Sequence, residues 1–345
     1  MRLDNASRMV LAAALCGLLL PAGVGHTQEM PGEGKTVQPA QPTWDTGWFT
    51  TAIYGKMLEE LGYQVEQPRT LDNPIFYQAV AQGDVDFWVE GWFPLHNEYR
   101  STFEDSATVI GYVAEGGALQ GYLVDKKTAD EQGVTNLEDL KNPEIAALFD
   151  ADGDGKADMV ACPPGWGCEL VIEHQMDAYD LRDHVNTVKA SYSASMADAM
   201  ARYQQGEPIL FYTWTPNWTV GMLTPGEDVV WIEVPFPSLP DEQKEFEDQT
   251  TVEGVTGCVG DPCEMGWPAN DIQPVANNQF LEENPAVRKL LEVASIPLDD
   301  IFAQNAKMFE GEDSEADLER HAEEWIESNR EQVDQWLEEA RAAAS

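Results

Sequence analysis

Cys162-Pro163-Pro164-Gly165-Trp166-Gly167-Cys168 brings two cysteines back together around a single tryptophan. If the cysteines pair, the loop is stiff and its backbone N–H groups are held in place. An apolar run, Glu169-Leu170-Val171-Ile172, begins where the loop ends. Leu170, Val171, His174, Tyr179 and Leu181 lie in a stretch with few breakers, which reads as a helix. The loop then supplies that helix's N-terminus, where N–H groups without intrahelical acceptors form an anion site. An aromatic face beside an anion site points to a ligand with a carboxylate at one end and a cation at the other.

At 345 residues the chain has enough length for two domains and a substantial core. Residues 1–25 read as a secretory signal peptide: Arg2 and Arg8, an apolar run from Met9 to Leu20, then Ala22, Gly23 and Gly25. Cys16 follows Leu15 rather than a small residue, so it reads as ordinary signal sequence. No later run is long and apolar enough to span a bilayer, and the expectation is an exported, soluble protein. Cys162, Cys168, Cys258 and Cys263 remain, an even number in an oxidising compartment. Four cysteines permit three connectivities; the close spacing favours Cys162–Cys168 and Cys258–Cys263. Zinc is the competing use, although no histidine lies near either pair in sequence.

The net charge is −42, from 62 acidic and 20 basic residues, and it excludes nucleic acid as a partner. The acids are spread through the chain, and 10% aromatic content is too high for a disordered acidic polymer. Such a surface repels itself at low ionic strength and is relieved by salt. It suits a salty exterior, with plain solubility as the simpler alternative.

In chain order, residues 26–36 read as a disordered lead-in and Val37 to Trp44 as a first strand. Asp45-Thr46 then caps a helix to about Leu61, with Phe49, Ile53, Met57 and Leu61 on one face and Gly62 as its stop. Tyr63 to Glu66 is a strand, Asn73 to Ala81 a helix closed by Gly83, and Asp86 to Val89 a buried strand. This alternation indicates an α/β unit with a parallel sheet. Ligands in such sheets lie beyond the carboxyl ends of strands, which singles out Trp92 and His96. Core packing and a structural hydrogen bond are the plainer readings of those two residues.

Gln120 to Val124 is a strand entering a new region. In Asp150-Ala151-Asp152-Gly153-Asp154-Gly155-Lys156-Ala157-Asp158, oxygen ligands at alternate positions with glycine sixth match the first half of a calcium loop. Asp150, Asp152, Asp154, Lys156 and Asp158 would contribute to a structural Ca2+ site. Ala161 stands where the loop's final glutamate belongs, so an acidic turn is the alternative. Asn186 to Lys189 is strand-like and Ser195 to Gln204 helical. Pro208 to Trp218 holds a strand ending in tryptophan, repeating the earlier order of strand, Trp and Pro. Val229 to Val234 can carry the chain back to the first domain. Residues 235–270 are loop-rich, Ile272 to Val275 a strand, Pro285 to Val293 a helix, and His321 to Ala342 one long helix with Trp325 and Trp336 in the core.

Three segments together resemble the periplasmic substrate-binding proteins of ABC transporters for glycine betaine and proline betaine. They are Gly91-Trp92-Phe93-Pro94-Leu95-His96, the run from Asp150 through Trp166-Gly167-Cys168-Glu169, and Phe211-Tyr212-Thr213-Trp214-Thr215-Pro216. The similarity covers about residues 37–342. It implies an α/β, two-lobed, type II-like binding-protein fold, with the cleft between lobes joined by two crossovers. Lobe I would comprise residues 26–118 and 232–345, and lobe II residues 119–231. The family's aromatic box falls on Trp92, Trp166 and Trp214. Its carboxylate contacts fall on His96 and the N–H groups of Gly167 and Cys168, and its disulfide on Cys162–Cys168. Cys258, Cys263 and the extreme acidity lie outside the pattern. The resemblance further implies a monomeric, periplasmic, non-enzymatic protein without a required cofactor, partnered by a membrane permease and ATPase.

The chemistry is coherent on its own terms. A trimethylammonium group has no N–H and cannot be read by hydrogen bonds. Aromatic faces attract it at ~0.5–2 kcal/mol each, depending on desolvation. Charge-assisted bonds to a carboxylate add ~1.5–3 kcal/mol each. A secreted sugar-binding module would also use tryptophan faces, on an open platform without an anion site. A secreted hydrolase would need a nucleophile or zinc motif, and none stands out among five histidines.

Overall fold

The computed structural model describes residues 30–345. The expected signal peptide lies outside the described residues. The chain runs β1 (Thr36–Val37), β2 (Ala40–Pro42), α1 (Trp48–Glu60), β3 (Gln64–Val65), β4 (Arg69–Leu71), α2 (Asn73–Gln82) and β5 (Phe87–Phe93). After α3 (Arg100–Phe103) come β6 (Ala107–Val109), β7 (Ala114–Ala118) and β8 (Gln120–Asp125). Then follow α4 (Lys126–Gln132), α5 (Pro143–Ala146), β9 (Ala157–Val160), α6 (Gly167–Ala178), β10 (Val185–Val188), α7 (Tyr192–Gln204), β11 (Leu210–Trp214), α8 (Thr219–Met222) and β12 (Val229–Ile232). The remainder is β13 (Thr251–Val252), β14 (Cys263–Glu264), β15 (Asn270–Asn277) and helices α9 (Asn278–Glu283), α10 (Pro285–Val293), α11 (Leu298–Phe309), α12 (Glu315–Ser328) and α13 (Arg330–Ala343).

Two main sheets result. One has the order β10-β9-β11-β8-β12, with β10, β9 and β11 parallel and β8 antiparallel to both its neighbours. The other is β5-β15-β6, with β7 also on β15 and every pairing antiparallel. The expected parallel sheet is therefore mixed. Local alternation is parallel, as in the short pairs β1–β3 and β2–β4. A strand from near the end of the chain, β15, then lies antiparallel between β5 and β6. Only Leu119 separates β7 in one sheet from β8 in the other, and Ile232 at the exit pairs with Tyr122 near the entry.

Several local readings change. Residues 30–36 are ordered: Gly32 N–H donates to Leu61 O at 2.9 Å, and Gly32 lies so close to Tyr63 that a side chain there would collide. Val37 to Trp44 is not one strand: β1 ends at Val37, Pro39 stands in the break, and β2 ends at Pro42. A 3-10 turn, Asp45–Gly47, precedes α1, and Asp45 makes no cap bond. Phe49, Ile53, Met57 and Leu61 are buried as expected, and Gly62 takes φ 89°. The C-terminal helix is two helices. Asn329 ends α12, returning both its N–H and its Nδ2 to Trp325 O at 2.9 Å, and its own carbonyl starts α13. α12 packs on α1, and α13 on α10.

Both close cysteine pairs are bonded, Cys162 to Cys168 and Cys258 to Cys263. The second holds a loop against the edge of β12, where Trp231 N–H donates to Gly257 O at 3.0 Å and Trp231 O accepts from Val259 N–H at 3.1 Å.

Candidate functional site

β5 is buried along its whole length and runs on through Trp92 to Phe93. Trp92 is thus inside the strand, not beyond its end, because Phe87-Trp88-Val89 and Trp92-Phe93 continue one pleat across Glu90-Gly91. His96 follows on a 3-10 turn, Leu95–Tyr99. In the other sheet β9 leads into the disulfide loop, and α6 starts at Gly167 with Trp166 as its N-cap residue. Gly165 takes φ 94° at the loop tip, where a side chain is strained. Trp214 ends β11. The Trp-x-Pro order occurs at both strand ends, and both X–Pro bonds, Phe93–Pro94 and Thr215–Pro216, are cis.

Trp92, His96, Trp166, Gly167, Cys168 and Trp214 all line one small cavity of about 30 Å3. Trp44, Asn73, Leu95, Gln120 and Tyr212 complete its wall, and no charged side chain is among them. Trp166 is the hub. Its ring meets Trp44 at 5.5 Å and Trp214 at 5.6 Å between centroids, both edge to face, at 73° and 80°. Tyr192 backs it, 4.8 Å from Trp214 and 6.0 Å from Trp166.

The polar end is organised by His96, which is buried. Trp92 N–H donates to its Nδ1 at 3.1 Å, and Tyr77 Oη lies 2.8 Å from the same atom. A backbone N–H can only donate, so Nδ1 carries the lone pair and Nε2 carries the proton. Burial pushes the imidazole pKa down to about 3, so the ring is neutral. Asn73 stands 2.8 Å from Nε2, and its amide oxygen belongs on that side, since otherwise this oxygen is a buried acceptor without a partner. The carboxamide NH2 of Asn73 then remains unclaimed. So does Gln120 Nε2, whose Oε1 accepts from Tyr212 Oη at 2.6 Å. Across the cavity Gly167 abuts His96: a Cβ at 167 would sit 3.0 Å from His96 Cδ2 and 3.4 Å from Nε2. The N–H groups of Gly167 and Cys168 belong to the first turn of α6, where no intrahelical acceptor exists. Donors without charge thus face one end, and indoles form the other.

Direct bonds join the segments that carry the two halves. Trp166 Nε1 donates to Thr43 Oγ1 at 2.9 Å, Asn73 N–H to Gly165 O at 3.2 Å, and Ser193 Oγ to Asp45 Oδ2 at 3.2 Å. Sequence reasoning missed Trp44, Asn73, Gln120 and Tyr212. Trp44 was legible only as the tail of a strand. Gln120 and Tyr212 pair through side chains across β8 and β11, which no local pattern announces.

The acidic loop converges only in part. Carboxylate oxygens of Asp150, Asp152 and Asp158 lie within 4.8 Å of one another. Asp154 is turned away to Asn186 Nδ2 at 3.0 Å, and Lys156 Nζ reaches Arg182 O at 2.9 Å. Asp154 therefore lies outside the carboxylate cluster, and Lys156, at the loop's seventh position, would offer its backbone carbonyl rather than its side chain.

Residues 35–328 match the family model described as the substrate binding domain of ABC-type glycine betaine transport systems. The chain is 44% identical over 327 residues to the glycine betaine-binding periplasmic protein OusX of Dickeya dadantii, covering 94% of this chain and 96% of that one. It is 44% identical over 336 residues to the glycine betaine/proline betaine-binding periplasmic protein of Salmonella typhimurium, covering 97% and 98%. Among solved structures, lactococcal OpuAC in its closed form with glycine betaine shares the fold, with a TM-score of 0.66 at 21% identity over 88% of this chain and 99% of that one.

Proposed function

The chain belongs to the family of substrate-binding domains of ABC-type glycine betaine transport systems, and on that premise we propose how its cavity captures a betaine. It is the solute-binding component of an ABC importer, and its ligands are glycine betaine and proline betaine. The indoles of Trp92, Trp166 and Trp214, joined by Trp44, take the quaternary ammonium group. The N–H groups of Gly167 and Cys168 take the carboxylate, together with His96 Nε2–H, which exchanges Asn73 Oδ1 for the ligand.

The observation that supports this most is the uncharged wall: indoles at one end, neutral donors at the other, and no acid or base between. A charged wall would bind amines or metal ions as well. An indole face holds a cation without hydrogen bonds and does not compete with water for hydrated sodium. Choline lacks the carboxylate and leaves the donors unpaired, so it ranks below the betaines.

Ligand bridging the two halves would favour the joined arrangement, which a permease and its ATPase then read. Export through the N-terminal leader, a monomeric state and an acidic surface suited to high salt complete the proposal. The Asp150, Asp152 and Asp158 carboxylates are a proposed structural Ca2+ position.

Calorimetric titration of the mature protein with glycine betaine, with choline and a disaccharide as controls, tests the assignment. Tight betaine binding, weaker choline binding and no sugar binding are expected. Sugar binding without betaine binding would overturn it.

A further inference from the structure

Glu90 lies between Trp88 and Trp92 on β5 and is buried, 3% exposed. Its carboxylate does not line the cavity, yet it is tied to two residues that do. Trp92 Nε1 donates to Oε2 at 3.2 Å, and Trp44 Nε1 approaches the same oxygen at 3.4 Å. Thr50 Oγ1 lies 2.6 Å from Oε1 and 2.8 Å from Gly47 O, with one proton to give between them. Gly47 makes the room, since a Cβ there would fall 2.8 Å from the Glu90 carboxyl carbon. Every one of these donors is neutral. Among the described residues, no positively charged side chain acts on Glu90.

A buried carboxylate with neutral donors and no counter-charge is costly unless a cation arrives. The cavity beyond the two indoles is the place where one would. Resting on the reading that this cavity takes a quaternary ammonium group, we infer that Glu90, behind Trp44 and Trp92, ionises as the cation enters and so supplies the counter-charge that makes the box select a cation. It acts through the indoles, never touching the ligand. Hydrogen bonding of each indole N–H to an anion enriches the ring in electron density and strengthens its face toward a cation. The same bonds fix the edge of each ring toward Glu90. Burial raises the carboxyl pKa, and the Thr50, Trp92 and Trp44 donors oppose that rise. A cation in the box opposes it further.

The test compares glycine betaine with tert-butylacetate, its all-carbon isostere, which keeps the carboxylate and shape but lacks the positive charge. Both are titrated into wild type, Glu90→Gln and Glu90→Asp, with folding checked by circular dichroism. Wild type should prefer betaine. Glu90→Gln should weaken betaine by about tenfold or more while changing tert-butylacetate by less than about twofold, because only the cation feels the lost charge. Glu90→Asp keeps the charge and should keep the preference even where overall affinity falls. An unchanged preference in Glu90→Gln reduces Glu90 to mechanical support and overturns the inference alone. Should Glu90→Gln not fold, a preference lost in Glu90→Asp overturns it equally, and one retained supports it. Wild type that binds no betaine overturns the proposed function, and this inference with it.

Discussion

Trp92 N–H donates to His96 Nδ1 at 3.1 Å. The residue whose indole walls the cavity therefore also sets which nitrogen of His96 bears the proton, and the cationic and anionic ends are coupled through four residues of backbone. His96→Ala removes a neutral N–H donor from the carboxylate end only. Betaine affinity should fall by about tenfold or more, in line with the ~1.5–3 kcal/mol of a charge-assisted bond. Choline should lose markedly less. Equal losses for the two ligands in parallel titrations would refute the assignment of His96 to the carboxylate.

Trp166 contacts both Trp44 and Trp214 and donates to Thr43. Trp166→Ala should weaken betaine by well over tenfold, combining a lost cation–π face with a lost bond between the two halves. The loop is fixed by its disulfide, so the thermal transition of the unliganded variant should stay within a few degrees of wild type. Calorimetry and a melt on the same sample decide it.

Gly167→Ala places a methyl 3.0 Å from His96 Cδ2 and 3.1 Å from Leu95 Cγ. Helix propensity alone would make this change neutral or stabilising. Instead it should push His96 out of line, with betaine affinity reduced severalfold and the fold retained. Wild-type affinity in the variant would mean that the imidazole edge does not meet the ligand.

Glu98 is pushed up to about 8 by burial, with Glu242 and Glu169 adding repulsion. Its folded pKa lies above the usual 4.5 of the unfolded chain. The folded form therefore holds a proton that the unfolded form has lost, and stability drains as pH rises from about 4.5 to about 8. Glu98→Gln should flatten that alkaline decline in urea midpoints measured across the window. His96 works in the opposite sense: a pKa pushed down to about 3 costs stability as pH falls below about 6.5. A variant that keeps the alkaline decline would remove Glu98 from the account.

What the sequence made legible was local. Helix α2 with Gly83 as its left-handed stop, the helix after the cysteine loop and the Trp-ended strand at 210–214 all follow from neighbours in the chain. The residues brought to one cavity, from Trp92 to Trp214, were readable because each sits on such an element. Long-range pairing was not readable. β15 enters antiparallel beside β5 from almost two hundred positions away, and no periodicity in Asn270 to Asn277 says so. Trp44, Gln120 and Glu90 owe their places to partners on other elements, so their roles appear only once the chain is folded. The break at Asn329 was hidden because its flanks both carry sound helical patterns.

The cavity wall carries no charge, and a betaine carries no net charge. Binding therefore moves almost no ionic atmosphere, and dissolved salt has little to screen. Fractional occupancy should track the concentration of the solute and ignore the salinity around it. A cell that imports betaines because its surroundings have turned saline then has a receptor whose set point does not drift with the stress it answers.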